Sequence, residues 1–523
     1  MKNKVIYICL VIILLLFNIL IIEKEFQNDT FFNISIGEYI CENGIDMIDH
    51  FSIHDGLEYS YSHWAFDILM YNIYKISGFI GIYIFTIVMG TILGVVLFYI
   101  LKKKNKNWII SFVCTIVALY MIRGGVAARA QIISFLMFVL EIYFIEEFLE
   151  KKKYRYLFFL LILSIIIANF HSAVWPMFFI LFLPYIAEYI LKNMGFKEEN
   201  ERKKNKIKNK IKKMQIRKQN TKKLIEQLEI LESKKYEEKN PYKIIIENNK
   251  NTKILIVFAI IMLFSGLCTP TGLSPYLYII KSMSGNSISS IAEMQPIIVK
   301  EIPSFMIFLG IYLLILCFGK IKIKLSDGCL ILGLTIMSII SRRYFYLLSI
   351  LGIIPFSKLI DEFVEEYKIN LNKKKYSIFC VLLIILLAVI GVYKNKDKDL
   401  INYEFYPFEV AEFMTENLDI DKIRIYNSYN NGSCLMMYKI PVYIDSRLDV
   451  YCKEFTGRDI FDDYIKATHG EKHYEEIFKK YNITHVLTYK DEVINKYICD
   501  DKNYNLIYKD ANENYFLYER IIK

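Results

Sequence analysis

An acidic residue, Asp29, stands where a membrane enzyme would place a catalytic carboxylate. The apolar run 5–22 is long enough to cross a bilayer, and Asp29 follows it within Asn28-Asp29-Thr30-Phe31-Phe32. A carboxylate just beyond a span can face both the membrane surface and water, where it would act as a general base on a lipid-linked substrate. The alternative is a hydrated loop acid that helps to cap a short helix.

Arginines stand at the ends of other apolar runs, where a guanidinium group suits a phosphate. Arg129 lies between the third and fourth runs, and Arg342 and Arg343 end the ninth. A guanidinium offers paired donors and stays charged, so a ring of these residues can hold a phosphate-linked substrate beside a base. Each arginine taken singly has the alternative of reaching a lipid phosphate. Further polar residues expected in this ring are Asn169, His171 and Glu293.

Histidines do not form a recognisable metal pattern. All seven are expected on the outer side of the chain, and three of them, His50, His54 and His63, share the first loop. Their spacing matches no zinc motif, so we expect His63 to bind substrate rather than metal. The neighbouring acidic residues Asp46, Asp49 and Asp55 are expected to form turns.

A second charged group stands in the last quarter of the chain. Asp445, Arg447 and Asp449 follow a predicted strand, and alternate residues share a face if the strand continues. One interpretation is a patch that binds a glycan or acceptor. The other is an internal pairing of arginine with aspartate that fixes the loop, and this is the interpretation that we favour.

The composition identifies the environment of these residues. The chain has 523 residues, is 54% hydrophobic and carries a formal net charge of +10, which is too apolar for a soluble protein of this length. It therefore predicts a polytopic membrane protein whose first apolar run is an uncleaved span, since no small-residue cleavage site follows. The ten cysteines show neither metal-type spacing nor a disulfide framework.

Basic loops predict the orientation of the spans. Lysine and arginine concentrate on the cytoplasmic side of membrane proteins, and five basic loops fall on one side when eleven spans are threaded. The N-terminus is then cytoplasmic and the C-terminal region extracytoplasmic. A bias toward Lys, Ile, Asn and Tyr is typical of an AT-rich bacterial genome, so we predict a multi-pass protein of the bacterial plasma membrane. The predicted spans are 5–22, 79–101, 108–123, 131–149, 155–171, 174–192, 253–270, 302–319, 326–341, 344–360 and 376–393.

These patterns divide the chain into two predicted domains. Residues 1–393 form an α-helical transmembrane domain with an outer loop at 23–78 and a basic cytoplasmic insertion at 193–252. Between Arg202 and Lys223 the insertion has twelve basic residues and no acidic one. This predicts a basic helix on membrane lipids, or else a solvated insertion; nucleic acid is not an expected partner, because no aromatic residues are interleaved to stack on bases.

Residues 394–523 predict an extracytoplasmic α/β domain with a mixed sheet. Short β-type runs alternate with helical stretches in this region. The predicted strands are 423–426, 442–445, 485–489, 506–508 and 515–518, and the predicted helices are 408–417, 459–468 and 474–481.

Several short motifs resemble those of C-type membrane glycosyltransferases, a superfamily that includes protein mannosyltransferases, aminoarabinose transferases and oligosaccharyltransferases. The resemblance is greatest to a bacterial set with a C-terminal outer domain, and it covers almost the whole chain except 197–251. The first-loop motifs are Asp29-Thr30-Phe31-Phe32-Asn33-Ile34-Ser35-Ile36-Gly37 and Ser62-His63-Trp64. Others are Ala128-Arg129-Ala130-Gln131, Ala168-Asn169-Phe170-His171, Thr269-Pro270-Thr271-Gly272, Ala292-Glu293-Met294-Gln295-Pro296 and Arg342-Arg343. The C-terminal region adds Asn427-Ser428-Tyr429-Asn430-Asn431-Gly432 and Ile444-Asp445-Ser446-Arg447-Leu448-Asp449-Val450-Tyr451.

This resemblance implies transfer of a sugar from a polyprenyl-phosphate carrier to an extracytoplasmic acceptor, which is a glycan, polymer or protein. Asp29 would act as general base or hold a divalent ion, Mg or Mn, that neutralises the departing phosphate. Arg129 with Arg342 or Arg343 would stabilise that phosphate, and His171 and Glu293 would bind substrate head groups. Many C-type enzymes carry two adjacent acids where this chain has Asn28 and Asp29, which puts a tightly bound metal in doubt.

Two other classes of function remain open at this point. A transporter or flippase of lipid-linked saccharide would line its path with the charged span ends, although the chain has no internal repeat of the kind that transporters often show. A non-catalytic membrane anchor would instead bind a partner through its outer domain.

Overall fold

The protein is largely helical. The computed structural model describes residues 2–193, 206–212, 214, 222–233, 244–247, 249–283, 292–319, 321–369, 382, 385–386, 389–391, 393 and 399–521. A bundle of apolar helices comes first in the chain, and a domain containing a four-stranded sheet follows it.

The bundle is organised around Trp64–Lys104, in which two helical parts meet at a kink at Gly78 (φ 59°). This segment packs mainly against the helices Lys2–Ile21, Asn28–Asn43, Trp108–Met121 and Gln131–Lys151. Its buried side chains are mainly leucine, isoleucine and phenylalanine, which form one continuous apolar core with their neighbours. The other helices of this part are Lys2–Ile21, Asn28–Asn43, Trp108–Met121, Gln131–Lys151, Arg155–Phe170, Trp175–Ile180, Leu183–Asn193, Lys222–Ser233, Thr252–Met262, Ser274–Met283, Pro303–Phe318, Leu325–Ile340, Phe345–Leu351 and Ile353–Glu366.

Two stretches of the described chain, Trp64–Lys104 and Ser172–Asn193, are long and apolar enough to cross a membrane. Six further apolar helices are shorter, and the predicted span 376–393 lies mostly outside the described residues. The number of eleven spans therefore stays a prediction. Large apolar side chains such as Ile307, Leu314 and Phe318 are exposed on the helical surface, as is typical of proteins surrounded by lipid.

Prolines interrupt two of the predicted spans. The predicted span 174–192 is divided into helices that end at Ile180 and begin at Leu183, and 344–360 is divided at Gly352. Pro184 and Pro355 have no N–H to donate to the carbonyl four residues earlier, which is that of Ile180 or Leu351. Each helix accordingly ends at the residue whose carbonyl loses its donor.

The C-terminal domain has a mixed sheet, as predicted. Its strands lie in the order Ile425–Tyr426, His485–Tyr489, Tyr515–Arg520 and Tyr504–Lys509; the first pair is parallel and the others are antiparallel. The predicted helix 408–417 is observed at those bounds, and the predicted helices 459–468 and 474–481 are observed as Ile460–Thr468 and Tyr474–Lys480. Shorter helices are Gly432–Met436, Leu448–Tyr451, Lys453–Thr456 and Val493–Ile498.

The predicted strand 442–445 is wrong, because its backbone pairs with the first loop instead of the sheet. Val442 makes an isolated parallel bridge to Ser52. The Ile53 N–H donates to the Val442 carbonyl at 2.8 Å, and the Val442 N–H donates to the Phe51 carbonyl at 2.9 Å. This segment therefore joins the C-terminal domain to the first loop.

The first loop and the C-terminal domain share one hydrophobic core. Phe32, Ile36 and Ile40 of the helix Asn28–Asn43, which we call the first-loop helix, are buried in the same cluster as Val410 and Leu435. The close approach of the loop to the bundle requires Gly37, since a Cβ there would lie 2.1 Å from the Asp67 carbonyl oxygen. The loop is thus fixed between the two parts of the chain.

The basic insertion is described only in part. Its apolar stretch forms the helix Lys222–Ser233, in agreement with the helical spacing of Leu224, Ile225, Leu228 and Leu231. Most of the run from Arg202 to Lys223 lies outside the described residues. A two-residue parallel pairing, Ile244–Ile245 with Ile323–Lys324, connects the end of the insertion to a later helix.

Candidate active site

Asp29 lies in the first turn of the first-loop helix. The residue before the helix, Gln27, makes no side-chain cap, so the aspartate is the acidic group nearest to the positive end of the helix dipole. Thr30, the next residue, is buried and donates from its hydroxyl to the Ala128 carbonyl at 3.4 Å. This contact holds the start of the helix beside the segment that carries Arg129.

Arg129 joins Asp29 to Glu293. Its Nε donates to Asp29 Oδ2 at 2.5 Å, its Nη2 contacts the same oxygen, and its Nη1 donates to Glu293 Oε1 at 3.2 Å. The side chains of Asp29 and Arg129 are each 22% exposed, whereas that of Glu293 is 50% exposed. Burial would lower the pKa of the Arg129 guanidinium, but the charges of Asp29 and Glu293 raise it.

Glu293 is held close to the adjacent arginines Arg342 and Arg343. It belongs to the short 3-10 turn Ala292–Met294, whose Glu293 carbonyl accepts from the Ser341 hydroxyl at 3.2 Å. The Arg342 N–H donates to the Gln295 carbonyl at 2.9 Å. Burial would raise the pKa of the Glu293 carboxyl, but Arg129 and Arg343 outweigh it and hold the pKa below its ordinary value.

The two adjacent arginines have different environments. Arg342 donates from Nη1 to Glu301 Oε2 at 2.9 Å, so its charge is already paired. Arg343 is half-buried and has no carboxylate oxygen within 4.0 Å among the residues that the structure describes, while its charge still acts on Glu293. Arg343 is therefore the guanidinium of this pair that can accept an incoming anion.

Asn169 and His171 have their polar atoms committed to neighbouring segments. Asn169 Oδ1 accepts from Trp64 Nε1 at 3.2 Å, and its amide nitrogen donates to the Ile165 and Cys268 carbonyls. His171 is buried, and its Nδ1 is 2.9 Å from the Ser134 hydroxyl. Both residues thus hold together the elements around the site, and their predicted contact with substrate stays a prediction.

His63 is paired with an acid that sequence reasoning missed. The fully buried Asp67 holds His63 Nδ1 at 2.8 and 3.0 Å through its two carboxylate oxygens. Burial would lower the pKa of His63, but Asp67, and with it Asp449 and Asp29, raises it above its ordinary value. The four-residue spacing of His63 and Asp67 at a helix start is the signal that would have found the pair.

Asp449 brings the C-terminal domain to the same region. It lies in the short helix Leu448–Tyr451, and the Ser60 hydroxyl donates to its Oδ2 at 3.4 Å. Burial raises the pKa of Asp449, and the charges of Arg447 and His63 oppose that rise. A second contact, from the Asn28 amide to Asn430 Oδ1 at 3.4 Å, joins the start of the first-loop helix to that domain.

Asp445 and Arg447 are not available as a surface patch, which corrects that interpretation. Arg447 is 3% exposed, donates from Nε and Nη2 to Asp445, and donates from Nη1 to Asp49 at 2.7 Å. Its guanidinium also lies over the rings of Phe51 and Tyr59. The internal pairing is therefore the one observed, and it ties Asp49 of the first loop to the C-terminal domain.

The residues around Asp29 do not fit a tightly held divalent cation. Among the described residues, no three histidine, cysteine, aspartate or glutamate side chains lie together as metal ligands. The Asp29 carboxylate is bound by a guanidinium, and the Asn169 oxygen is bound by the Trp64 indole. Within the described residues, Asp29 is therefore not joined by two further acidic, histidine or cysteine side chains that could hold the predicted Mg or Mn ion.

The arrangement brings two carboxylates and two guanidinium groups into one region from segments far apart in the chain. Asp29, Arg129, Glu293 and Arg343 come from four different segments; the first three are in contact, and the charge of Arg343 acts on Glu293. Guanidinium groups in a partly dry site stabilise an anion strongly, and a neighbouring carboxylate can accept a proton.

Comparisons with known proteins identify the fold. No protein-family model and no curated protein matches the chain. Similar solved structures include an oligosaccharyltransferase from Archaeoglobus fulgidus tethered with an acceptor peptide containing the NVT sequon (TM-score 0.54, 11% identity, 92% of this chain and 69% of that chain). The archaeal oligosaccharyltransferase AglB of the same organism with an inhibitory peptide and a dolichol-phosphate matches with a TM-score of 0.54 and 11% identity over 98% of this chain and 74% of that chain. The apo form of the Archaeoglobus fulgidus enzyme matches with a TM-score of 0.56 and 10% identity over 92% and 69%. The chain therefore shares its fold with these archaeal oligosaccharyltransferases, and this is the fold that the resemblance of the motifs implies.

Proposed function

We propose that this protein is a membrane glycosyltransferase that moves a sugar from a polyprenyl-phosphate-linked donor to an acceptor on the extracytoplasmic face. The observation that carries the proposal is the bridge from Asp29 through Arg129 to Glu293, with Arg343 beside it and unpaired within the described residues. The shared fold supports the same class of reaction.

The donor phosphate would bind to the guanidinium groups. Arg343 has no carboxylate partner among the described residues, and the N–H groups of Arg129 point to the position that an anion would share with Asp29. A phosphate that takes up part of the Arg129 donors would loosen the Asp29 carboxylate from its ion pair. One structure with this fold contains a dolichol-phosphate, a polyprenyl carrier of the proposed class.

Transfer of the sugar then requires that one proton is removed from the acceptor and that one leaving group departs from the donor. The acceptor hydroxyl oxygen forms a bond to the anomeric carbon as the bond from that carbon to the phosphate oxygen breaks. Asp29 accepts the hydroxyl proton, and the electron pair of the broken bond leaves on the polyprenyl phosphate. Arg129 and Arg343 stabilise the charge that develops there.

The acceptor side is formed by the first loop and the C-terminal domain. His63, Asp67 and Asp449 carry charges beside the site and are contributed by both parts of the chain. One structure with the same fold is tethered with an acceptor peptide. For this chain we propose a glycan, polymer or protein acceptor at the outer face of a bacterial plasma membrane.

The test is sugar transfer by purified protein in lipid vesicles supplied with radiolabelled polyprenyl-phosphate sugars and a cell-wall extract. Asp29→Asn should abolish measurable transfer, because an amide cannot accept the proton. Glu42→Gln is the matched control, since Glu42 is an exposed carboxylate on the same helix. It should retain full transfer.

A folded Asp29→Asn protein that transfers sugar at the rate of the parent would overturn the assignment of the base. Transport of the labelled carrier across the vesicle without transfer would overturn the reaction class in favour of a flippase.

A further inference from the structure

A cavity of about 370 Å3 lies between the first loop and the C-terminal domain. It shares no lining residue with the ring around Asp29. The lining residues are Ile53, His54, Asp55, Arg424, Arg458, Asp459, Ile460, Lys480 and Tyr481. A cavity of this volume accommodates a small polar molecule such as a sugar phosphate.

Two guanidinium groups in this cavity have no acidic partner. Arg424 donates from Nε to the Tyr481 carbonyl at 2.9 Å, and Arg458 donates from Nη1 to the Asp55 carbonyl at 3.1 Å. Within the described chain, neither has a carboxylate oxygen within 4.0 Å. Lys480, by contrast, is paired with Asp463. The two arginines thus keep donors that an anion can use.

His54, in the wall of the cavity, adds no charge to the lining at neutral pH. His54 is buried, and its Nε2 lies 2.8 Å from the Tyr443 carbonyl. Burial, together with the charges of Arg424 and Arg458, lowers its pKa to about 4, against the opposing effects of the Tyr443 carbonyl and Asp49. His54 is therefore neutral, and the charged groups that line the cavity are the two arginines, Lys480, and the carboxylates of Asp55 and Asp459.

The remaining lining groups suit a saccharide. Tyr481 presents a half-buried aromatic ring, and the exposed Asp55 and Asp459 supply carboxylates at the rim. One Asp459 oxygen accepts from the Asp462 N–H at 3.3 Å, so this side chain is oriented by the start of the helix Ile460–Thr468. Carboxylates accept hydrogen bonds from sugar hydroxyls, and an aromatic ring packs against the apolar face of a sugar.

We propose that this cavity binds a phosphorylated saccharide, with Arg424 and Arg458 on the phosphate and the rim carboxylates on the sugar hydroxyls. The site binds its ligand in a cavity separate from the proposed site of transfer, and it does not depend on that reaction. An anionic glycan held here would be kept at the junction of the first loop and the C-terminal domain.

The test is calorimetric titration of the full chain in lipid nanodiscs with glucose 1-phosphate as the probe. We expect saturable binding that weakens as the salt concentration rises, because the guanidinium charges become screened. Arg458→Gln should weaken binding about tenfold or more, the usual cost of losing one charge-assisted hydrogen bond. The exposed Lys453→Gln on the neighbouring helix should leave the affinity within about twofold.

Three outcomes would overturn the proposal. These are no saturable binding by the folded protein, affinity unchanged in both Arg458→Gln and Arg424→Gln, and equal affinity for unphosphorylated glucose. Inorganic phosphate that binds as tightly as glucose 1-phosphate would overturn the role of the sugar. Arg458 is exposed and makes one backbone contact, so its variant tests the site without disturbing the fold.

Discussion

The ion bridge predicts unequal energetic coupling along its two arms. We consider the variants Asp29→Asn, Glu293→Gln and Arg129→Gln, together with the double variants that pair each acid with Arg129. In the double-mutant cycle, the coupling energy is the difference between the effect of the double variant and the sum of the effects of the two single variants.

The structure sets the size of each coupling energy. The Arg129 Nε lies 2.5 Å from Asp29 Oδ2, Nη2 also contacts that oxygen, and both side chains are 22% exposed. An exposed ion pair contributes about 1 kcal/mol, and breaking a buried one costs about 3–5 kcal/mol. Because this pair is intermediate in exposure, we expect a coupling energy of about 2 kcal/mol. The Glu293 arm has one contact at 3.2 Å and a side chain that is 50% exposed, so we expect about 0.5 kcal/mol or less.

Two measurements test the same cycle. Heat denaturation in nanodiscs gives the coupling in stability, and transfer kinetics give the coupling in transition-state stabilisation. Arg129→Gln should lower kcat/KM by about a hundredfold to a thousandfold, because a preorganised donor to the departing phosphate is lost. Glu293→Gln should change kcat/KM far less than Asp29→Asn.

Equal coupling energies for the two arms would refute this reasoning, because the geometry makes them unequal. A value for Asp29 with Arg129 below about 0.3 kcal/mol would refute it as well, since that is the level of additivity between independent sites. Transfer by Arg129→Gln at the parental rate would remove the arginine from the reaction.

Three further predictions concern His63, the C-terminal domain, where Glu492 precedes the helix Val493–Ile498, and the first-loop helix. Asp67→Asn should lower the pKa of His63, because the buried carboxylate at 2.8 Å is the main group that raises it. A nuclear magnetic resonance titration of the His63 ring signals measures this pKa, and an unchanged pKa in the variant would contradict the prediction. Burial raises the pKa of Glu492 to about 7, so a stabilising contribution present below the ordinary pKa of 4.5 is lost as the pH rises to about 7. Glu492→Gln should therefore stabilise the protein above pH 7 by about 2 kcal/mol and change it little near pH 4, a difference that melting curves at both pH values would reveal. Gly37→Ala should cost about 1–3 kcal/mol, since its Cβ would meet the Asp67 carbonyl; an unchanged melting temperature would contradict the close approach.

The sequence was most informative where structure is local. Helix 408–417 and strand 485–489 are observed at the predicted bounds. The spacing of apolar residues specifies the buried face of the helix, and a short β-type run marks the strand, which is buried on both faces. The segment 442–445 has the same apolar pattern, yet it pairs with Phe51 and Ile53 of the first loop. Local periodicity carries no information on which distant backbone a strand-like segment joins.

The candidate site shows the same difference between local and long-range information. The residue types of Asp29, Arg129 and Glu293 indicated a catalytic carboxylate and a phosphate-binding group. Their mutual contacts span 100 and 164 positions of the chain, so the sequence could group these residues only by the predicted side of the membrane. Asp67 was missed because it lies at the start of an apolar helix and no charged neighbour marks it except His63. For Arg447 the favoured interpretation, an internal pairing with aspartate, is confirmed, but its second partner Asp49 lies 398 positions away and was not predicted.

The core shared by the first loop and the C-terminal domain has a consequence for biogenesis. Phe32 and Ile36 emerge early in synthesis, whereas Val410 and Leu435, which cover them, are made several hundred residues later. At about 5–20 residues per second, the loop waits for tens of seconds with apolar side chains uncovered. A nascent chain of this kind is expected to need a chaperone, and a chain truncated before the last domain is expected to be degraded because of the apolar surface it leaves exposed.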